Sequence, residues 1–226
     1  MAGNIAHNLN TPLAEVTPIP TKWIGPVPFT HKDQNCEISV PLATYETTLW
    51  PSTNRGAKAT RLSGGIQTTI QREGMTRSVI FTGPTAAACI EIADALNHDQ
   101  ILKAIQKSSR HAVLKDIHTE VHGRNLYLRI SIDSGNASGH NMVTKAADYV
   151  MEEILKTYPQ LEYGSISGNM CVDKKVSAIN GILGRGKHVI AECTLSREVC
   201  RDVLKTTPEK LHDLNIQKNY VRQTVE

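Results

Sequence analysis

The stretch from Val113 to Ile132 constrains the fold more than any other. Val113 to Val121 reads as a strand rich in β-branched residues, and His122-Gly123-Arg124-Asn125 reads as a hairpin turn. Leu126 to Ile132 is the partner strand, with Leu126, Leu128, Ile130 and Ile132 on one face. A sheet with one apolar face must be covered. The chain supplies covers on both sides of the hairpin. Pro84 to Asn97 reads as a helix with Ala88, Ile92, Ala95 and Leu96 on a shared face, and Asp99 to Lys107 as a second. A longer helix runs to about Thr157, with Met142, Ala146, Val150 and Ile154 along one stripe. The class expected is a mixed α/β (α+β) arrangement.

Around this centre lie weaker elements. Residues 1 to 37, rich in Pro, Asn and Thr, read as extended and turn-rich. Strands are expected at Ile38 to Thr44, residues 64 to 71, Thr76 to Phe81, Leu161 to Ile166 and His188 to Cys193. Arg72-Glu73-Gly74-Met75 reads as a turn. Leu49 to Lys58 reads as a helix or turn, and short helices are expected at Val176 to Asn180, Ser196 to Leu204 and Glu209 to Asn219.

Composition excludes little but excludes it plainly. At 226 residues, 40% hydrophobic and 21% charged, the chain is of ordinary globular make-up. A net charge of +3 with scattered basic residues does not make a nucleic-acid stripe. Five irregularly spaced cysteines without Cys-x-x-Cys imply reduced thiols and no zinc site. There is no signal-peptide pattern and no long apolar run, so a cytoplasmic protein without a membrane span is expected.

The densest chemistry is Ser167-Gly-Asn-Met-Cys-Val-Asp-Lys-Lys175. Two lysines beside an aspartate can hold a polyanionic substrate or a developing oxyanion. The alternative is that Asp173 caps a helix and Lys174 and Lys175 point into water. Small and polar residues near Arg55 and Lys58 suit phosphates. The loop Ser134 to Asn141 opens a helix, where unpaired N–H groups can meet an anion. Gly181-Ile-Leu-Gly-Arg-Gly-Lys187 mimics a phosphate loop. It lacks the Ser or Thr after the lysine, and a strand follows where a helix should stand, so it reads as a turn.

Taken together, these segments resemble hydroxymethylglutaryl-coenzyme A reductases. The similarity rests on Pro18-Ile-Pro20, Val40-Pro-Leu-Ala-Thr-Tyr-Glu46, Ser52-Thr-Asn-Arg-Gly56 and Glu73-Gly-Met-Thr-Arg77. It continues through Asn136 to Met142, Ser167 to Lys175, Gly184-Arg-Gly-Lys187, Val203-Leu-Lys-Thr-Thr207 and Asn215-Ile-Gln-Lys-Asn219, in order. The resemblance implies a large CoA- and substrate-binding domain (residues 1–77 and 167–226) interrupted by a small ferredoxin-like NADP-binding domain (78–166). It implies reduction of hydroxymethylglutaryl-CoA to mevalonate and CoA by NADPH.

By resemblance, Lys174 meets the oxyanion and Glu46 is the proton donor. Arg77, Ser167, Asp173, Lys175 and Lys218 would hold the hydroxymethylglutaryl group. Ser52, Asn54, Arg55, Lys58, Val203, Leu204 and Lys205 would contact CoA. Ser109 and Arg110 would take the 2′-phosphate of NADPH, and Asn136, Ala137, Ser138, Gly139, His140 and Asn141 the rest of the cofactor. The sequence departs from the family where Asn136 replaces an aspartate, and Ser138 and His140 replace methionines. A catalytic aspartate and histidine of the family would lie beyond Lys218, where the tail Tyr220 to Glu226 does not match. The large domain is therefore expected to be incomplete. A homodimer or a complementing C-terminal chain is the expected partner, and no CoA-dependent NADPH oxidation is expected from this chain alone.

Overall fold

The computed structural model describes residues 17–172 and 177–225, the last five of these in backbone only. The chain divides into two compact units, residues 1–69 with 191–226 and residues 70–190. No helix among the described residues is long and apolar enough to cross a membrane.

The fold is mixed α/β, with seven strands among the described residues. In the first unit, β1 (Thr21–His31) and β2 (Gln34–Ala43) form an antiparallel hairpin. The expectation of turn-rich structure to residue 37 is corrected here. Pro26 and Pro28 disguise β1, but Pro26 falls in the register irregularity between Ile24 and Val27, where a ladder donor is dispensable. The turn residues Lys32 and Asp33 have φ of 47° and 62°, the mirror-turn geometry that matches strand twist. The start of β3 (Ile66–Thr82) pairs in parallel with β1. Helix α1 (Leu49–Leu62) packs on β1, burying Ala57 and Ala59. Helices α6 (Arg197–Asp202) and α7 (Pro208–Val225) complete this unit. Its buried apolar side chains among the described residues are few: Ile24, Ala57, Ala59 and Cys200.

The second unit carries the main core. Its strand order is β6-β3-β5-β4, all antiparallel, with β4 (Val113–His122), β5 (Asn125–Asp133) and β6 (Glu162–Ser165). Val79 pairs with Leu128 and Phe81 with Leu126, so one face of the sheet is apolar. Helices α2 (Ala86–Ala95), α3 (His98–Ser108) and α4 (His140–Thr157) cover that face through Cys89, Ile92, Ile101, Ile105, Val150 and Ile154. On α2 the inward stripe is Cys89-Ile92-Leu96, with Ala95 exposed. Thr85 and Asn97 cap α2 and α3, accepting from Ala88 N at 3.1 Å and Gln100 N at 2.8 Å.

The turn expected at residues 72–75 is absent, because β3 runs straight through it. After β6 the chain crosses the opposite face of the sheet. Short helix α5 (Ala178–Leu183) leads into β7 (Gly186–Glu192), which pairs with β3. Gly184 and Gly186 have φ of 81° and 69°, so the phosphate-loop mimic is a helix-to-strand turn.

Candidate functional site

In the second unit, backbone register assembles one cluster. Met75 pairs with Ile132, Leu114 with Ile132 and Val113 with Asp133. The end of β5 and the start of β4 therefore lie side by side. Ser109 and Arg110, just before β4, and the loop after Asp133 leave the sheet at the same end. The loop is stiffened internally: Ser134 Oγ donates to Ala137 O at 2.9 Å, and Asp133 Oδ1 accepts from Gly135 N at 2.8 Å.

Gly139 stands at the N-cap of α4 with φ 83°, offers no side-chain cap, and the first turn holds no acidic residue. The helix thus begins with its amide donors uncapped by a side chain and its positive end unneutralised. Only glycine fits there. A Cβ on Gly139 would lie 2.6 Å from Ser134 Oγ and 3.1 Å from Met75 Cβ. A cavity of about 270 Å³ opens beside this helix start, lined among others by Ala137, Ser138, His140, Met75 and the ion pair of Lys187 with Glu73. Asn136 and Asn141 are exposed. Ser109 Oγ accepts from His111 N at 3.2 Å, and exposed Arg110 donates from Nε to His111 Nε2 at 3.1 Å. A cation and a hydroxyl thus leave the sheet at the same end as the loop that leads to an uncapped helix start, groups of the kind that meet anions.

A second cluster surrounds Ser167. Arg77 Nε donates to Ile166 O at 3.0 Å, and Gly168 N donates to Ser78 O at 2.7 Å. Ser167 N donates to Ser165 Oγ at 3.0 Å. The structure thus brings Arg77 and Ser167 together. Asp173, Lys174 and Lys175 lie outside the described residues. The segment around α5, on their C-terminal side, is held by arginines. Arg72 donates to the carbonyls of Gly181 and Ile182, Arg129 to Gly184, and Arg185 Nη1 to Thr76 Oγ1 at 3.0 Å. Arg129 is only 2% exposed, and burial pushes its guanidinium below the ordinary arginine range against the opposing pull of Cys171 and Asp116. Sequence reading missed this set. No sequence signal set it apart: Arg129 falls on the polar phase of the Leu126 to Ile132 alternation, where a solvated arginine would also stand.

The first unit holds the remaining candidates. Glu46 is exposed between β2 and α1, its N–H donating to Thr44 Oγ1 at 2.9 Å. Ser52, Asn54, Arg55 and Lys58 are exposed on α1, and Asn54 Oδ1 accepts from Gly25 N at 3.4 Å. Helix α6 packs against α1, so Val203, Leu204 and Lys205, directly after it in the chain, belong to the neighbourhood of that helix. Lys205 is exposed with φ 59°. Arg197 and Glu209 pair across the α6–α7 connection, and Arg197, together with a backbone amide and Thr207, holds the Glu209 carboxyl down at about 2. Lys218 lines a groove with Cys193, Cys200, Leu211, His212 and Asn215. All five cysteines are free thiols, and the described residues contain no cluster of three metal-ligating side chains.

The model of the hydroxymethylglutaryl-coenzyme A reductase family matches residues 14–225. The 3-hydroxy-3-methylglutaryl-coenzyme A reductase of Pyrococcus abyssi is 42% identical over 210 residues, covering 91% of this chain and 51% of its own length. Reductase 2 of Dictyostelium discoideum is 42% identical over 208 residues, covering 90% of this chain and 39% of its own. A solved reductase of Streptococcus pneumoniae shares the fold at a TM-score of 0.62 with 18% identity, covering 86% of this chain and 44% of that one. A class II reductase structure from the same organism, described as bound to NADPH in open conformations, has the same TM-score and is covered to 50%. The chain spans about half the length, or less, of the curated relatives it matches. Matched by the family model from residue 14 to residue 225, this chain belongs to the hydroxymethylglutaryl-coenzyme A reductase family.

Proposed function

We propose that these residues serve the NADPH-dependent reduction of hydroxymethylglutaryl-CoA to mevalonate and CoA. The observation that carries the reading is the register Val113↔Asp133, which brings Ser109 and Arg110 to the sheet end from which the Asn136–Asn141 loop departs. The ferredoxin-like NADP-binding domain, residues 78–166, would then lie within the second unit, whose strand order is β6-β3-β5-β4. Arg110 and Ser109 would take the 2′-phosphate, and the start of α4 the pyrophosphate. NADPH supplies the hydride. The first unit would carry CoA along α1 and Val203–Lys205, with Glu46 as proton donor. Arg77, Ser167, Asp173, Lys175 and Lys218 would hold the hydroxymethylglutaryl carboxylate and hydroxyl, and Lys174 the developing oxyanion. The sparse core of the first unit supports an incomplete large domain.

A second reading is a nucleotide- and CoA-ester-binding module without turnover of its own. Calorimetry with NADPH, NADH and hydroxymethylglutaryl-CoA tests both. Binding of NADPH and the CoA ester, with NADPH preferred at least about tenfold over NADH, is expected. Absence of both bindings overturns the proposal. CoA-dependent NADPH oxidation by the purified chain would decide for the enzyme; its absence, with both ligands bound, decides for the module.

A further inference from the structure

Strand β1 and helix α1 enclose a cavity of about 420 Å³, lined among others by Lys22, Trp23, Thr47, Trp50, Pro51 and Asn54. Its volume falls within the roughly 300–1,000 Å³ of small-molecule sites. Trp50 is fixed there from two sides. Its Nε1–H donates to Leu42 O at 2.9 Å, and Lys22 Nζ stands 4.8 Å from its ring centroid. Register explains the pairing, because Lys22 lies opposite Leu42 across the β1–β2 ladder. The polar edge of the indole is satisfied by the sheet, so a flat π surface and an ammonium are held together on the cavity wall. Asn54 adds a carboxamide whose Oδ1 accepts from Gly25 N at 3.4 Å and whose Nδ2 is a donor.

The wall continues along the helix. Arg55 follows Pro51 by four residues and Lys58 follows Asn54 by four, so each lies one turn further on the same side of α1. One turn is about 5.4 Å, the scale of the reach from a base across its ribose to a phosphate. Both cations are exposed, and the first turn of α1 holds no acidic residue. A lysine resting on an indole as a mere strut would need neither the cavity nor this cationic stripe.

We propose that Lys22 and Trp50 form a purine subsite whose occupant is the adenine of CoA, with its phosphates beyond on Arg55 and Lys58. This rests on the reading of α1 as the CoA-carrying helix and names what anchors the far end of that ligand. A purine suits the wall: its ring stacks on indole, and its ring nitrogens accept from the ammonium and the carboxamide.

The probe is adenosine 3′,5′-bisphosphate, the nucleotide end of CoA without its thiol arm, titrated into the full chain by calorimetry and by indole fluorescence. Trp23 and Trp50 are the two tryptophans of the chain, so Trp23→Phe leaves Trp50 as the sole indole reporter. Its emission is expected to be quenched as the bisphosphate saturates. Trp50→Leu and Lys22→Met are each expected to weaken the bisphosphate about tenfold, the effect of losing a base–aromatic stack or a charge-assisted hydrogen bond. Trp50→Phe keeps a flat ring and should stay within about threefold of wild type. NADPH affinity and amide protection along β1 and β2 should be unchanged. Where Trp50→Leu loses that protection, Lys22→Met decides, since it leaves the Trp50–Leu42 bond in place. Bisphosphate that binds without quenching Trp50, or binds Lys22→Met as tightly as wild type, overturns the subsite and leaves the CoA reading standing. Binding of neither the bisphosphate nor CoA overturns both.

Discussion

The Nε of Arg77 donates to the carbonyl of Ile166 at 3.0 Å, joining the middle of β3 to the residue before Ser167. One edge of the guanidinium is thereby tied to the backbone, which orients the rest of a planar fork. Lysine keeps the charge but has neither the fork nor the Nε–H. Arg77→Lys is therefore expected to weaken hydroxymethylglutaryl-CoA binding by about tenfold or more while leaving NADPH affinity unchanged. Calorimetry with each ligand separates the two effects.

Gly139→Ala meets two obstacles at once, a φ of 83° and the crowding of Ser134 and Met75. The cost is expected to be about 1–3 kcal/mol, read as a lower denaturant midpoint, with NADPH binding weakened in the fraction that folds. Gly123, with φ 58° but nothing near its missing Cβ, meets only the first obstacle. Gly123→Ala should be milder in the same measurement.

Lys32 and Asp33 adopt a turn that Asn-Gly favours. Replacing the pair by Asn-Gly should stabilise the β1–β2 hairpin by about 1 kcal/mol. Hydrogen exchange along β1 and β2 reads this directly, and protection that falls instead would contradict the turn assignment.

The Glu209 carboxyl, held at about 2 chiefly by Arg197, makes a pH-dependent contribution. Its folded value lies below the unfolded one, so its stabilisation of the α6–α7 connection is complete above about pH 4.5 and is lost as pH falls toward 2. A carbon-detected titration of Glu209 should show a midpoint near the lower value. In Arg197→Ala it should return most of the way to the ordinary glutamate range.

Ile105 is fully buried between α3 and the sheet. Ile105→Ala is expected to cost about 2–5 kcal/mol in the second unit, measured by chemical denaturation.

The hairpin of β4 and β5 and the helix α4 were legible because their stabilisation is local in pattern: alternation, a glycine turn, an apolar stripe. Residues 72–75 were not. Arg72, Glu73 and Gly74 look like a polar turn to any short window. In the fold Arg72 reaches the carbonyls of Gly181 and Ile182, and Glu73 pairs with Lys187, partners that arrive more than a hundred residues later. Those contacts give the polar groups of this strand segment partners that a short window cannot show. β1 was hidden for another reason, since Pro26 is tolerated at an irregularity that only pairing with β2 reveals. The grouping of candidate site residues was not legible, because Val113 meets Asp133 through register and Arg77 meets Ile166 through a side-chain hydrogen bond.

That register has a consequence for how the chain can vary. β4 and β5 are joined by the two residues Gly123 and Arg124, and a bulge at Lys115 already sits between Leu114 and Asp116. Inserting one residue into that turn would slide β4 by about 3.3 Å and turn its side chains to the other face. Ser109 and Arg110 would travel with it, away from the loop they adjoin. Substitutions of Arg124 should be freely tolerated, and those of Gly123 at the cost of its positive φ, whereas insertions and deletions should not, so the length of the tip is the tighter constraint. A library of tip variants selected for NADPH retention should return many sequences and one length.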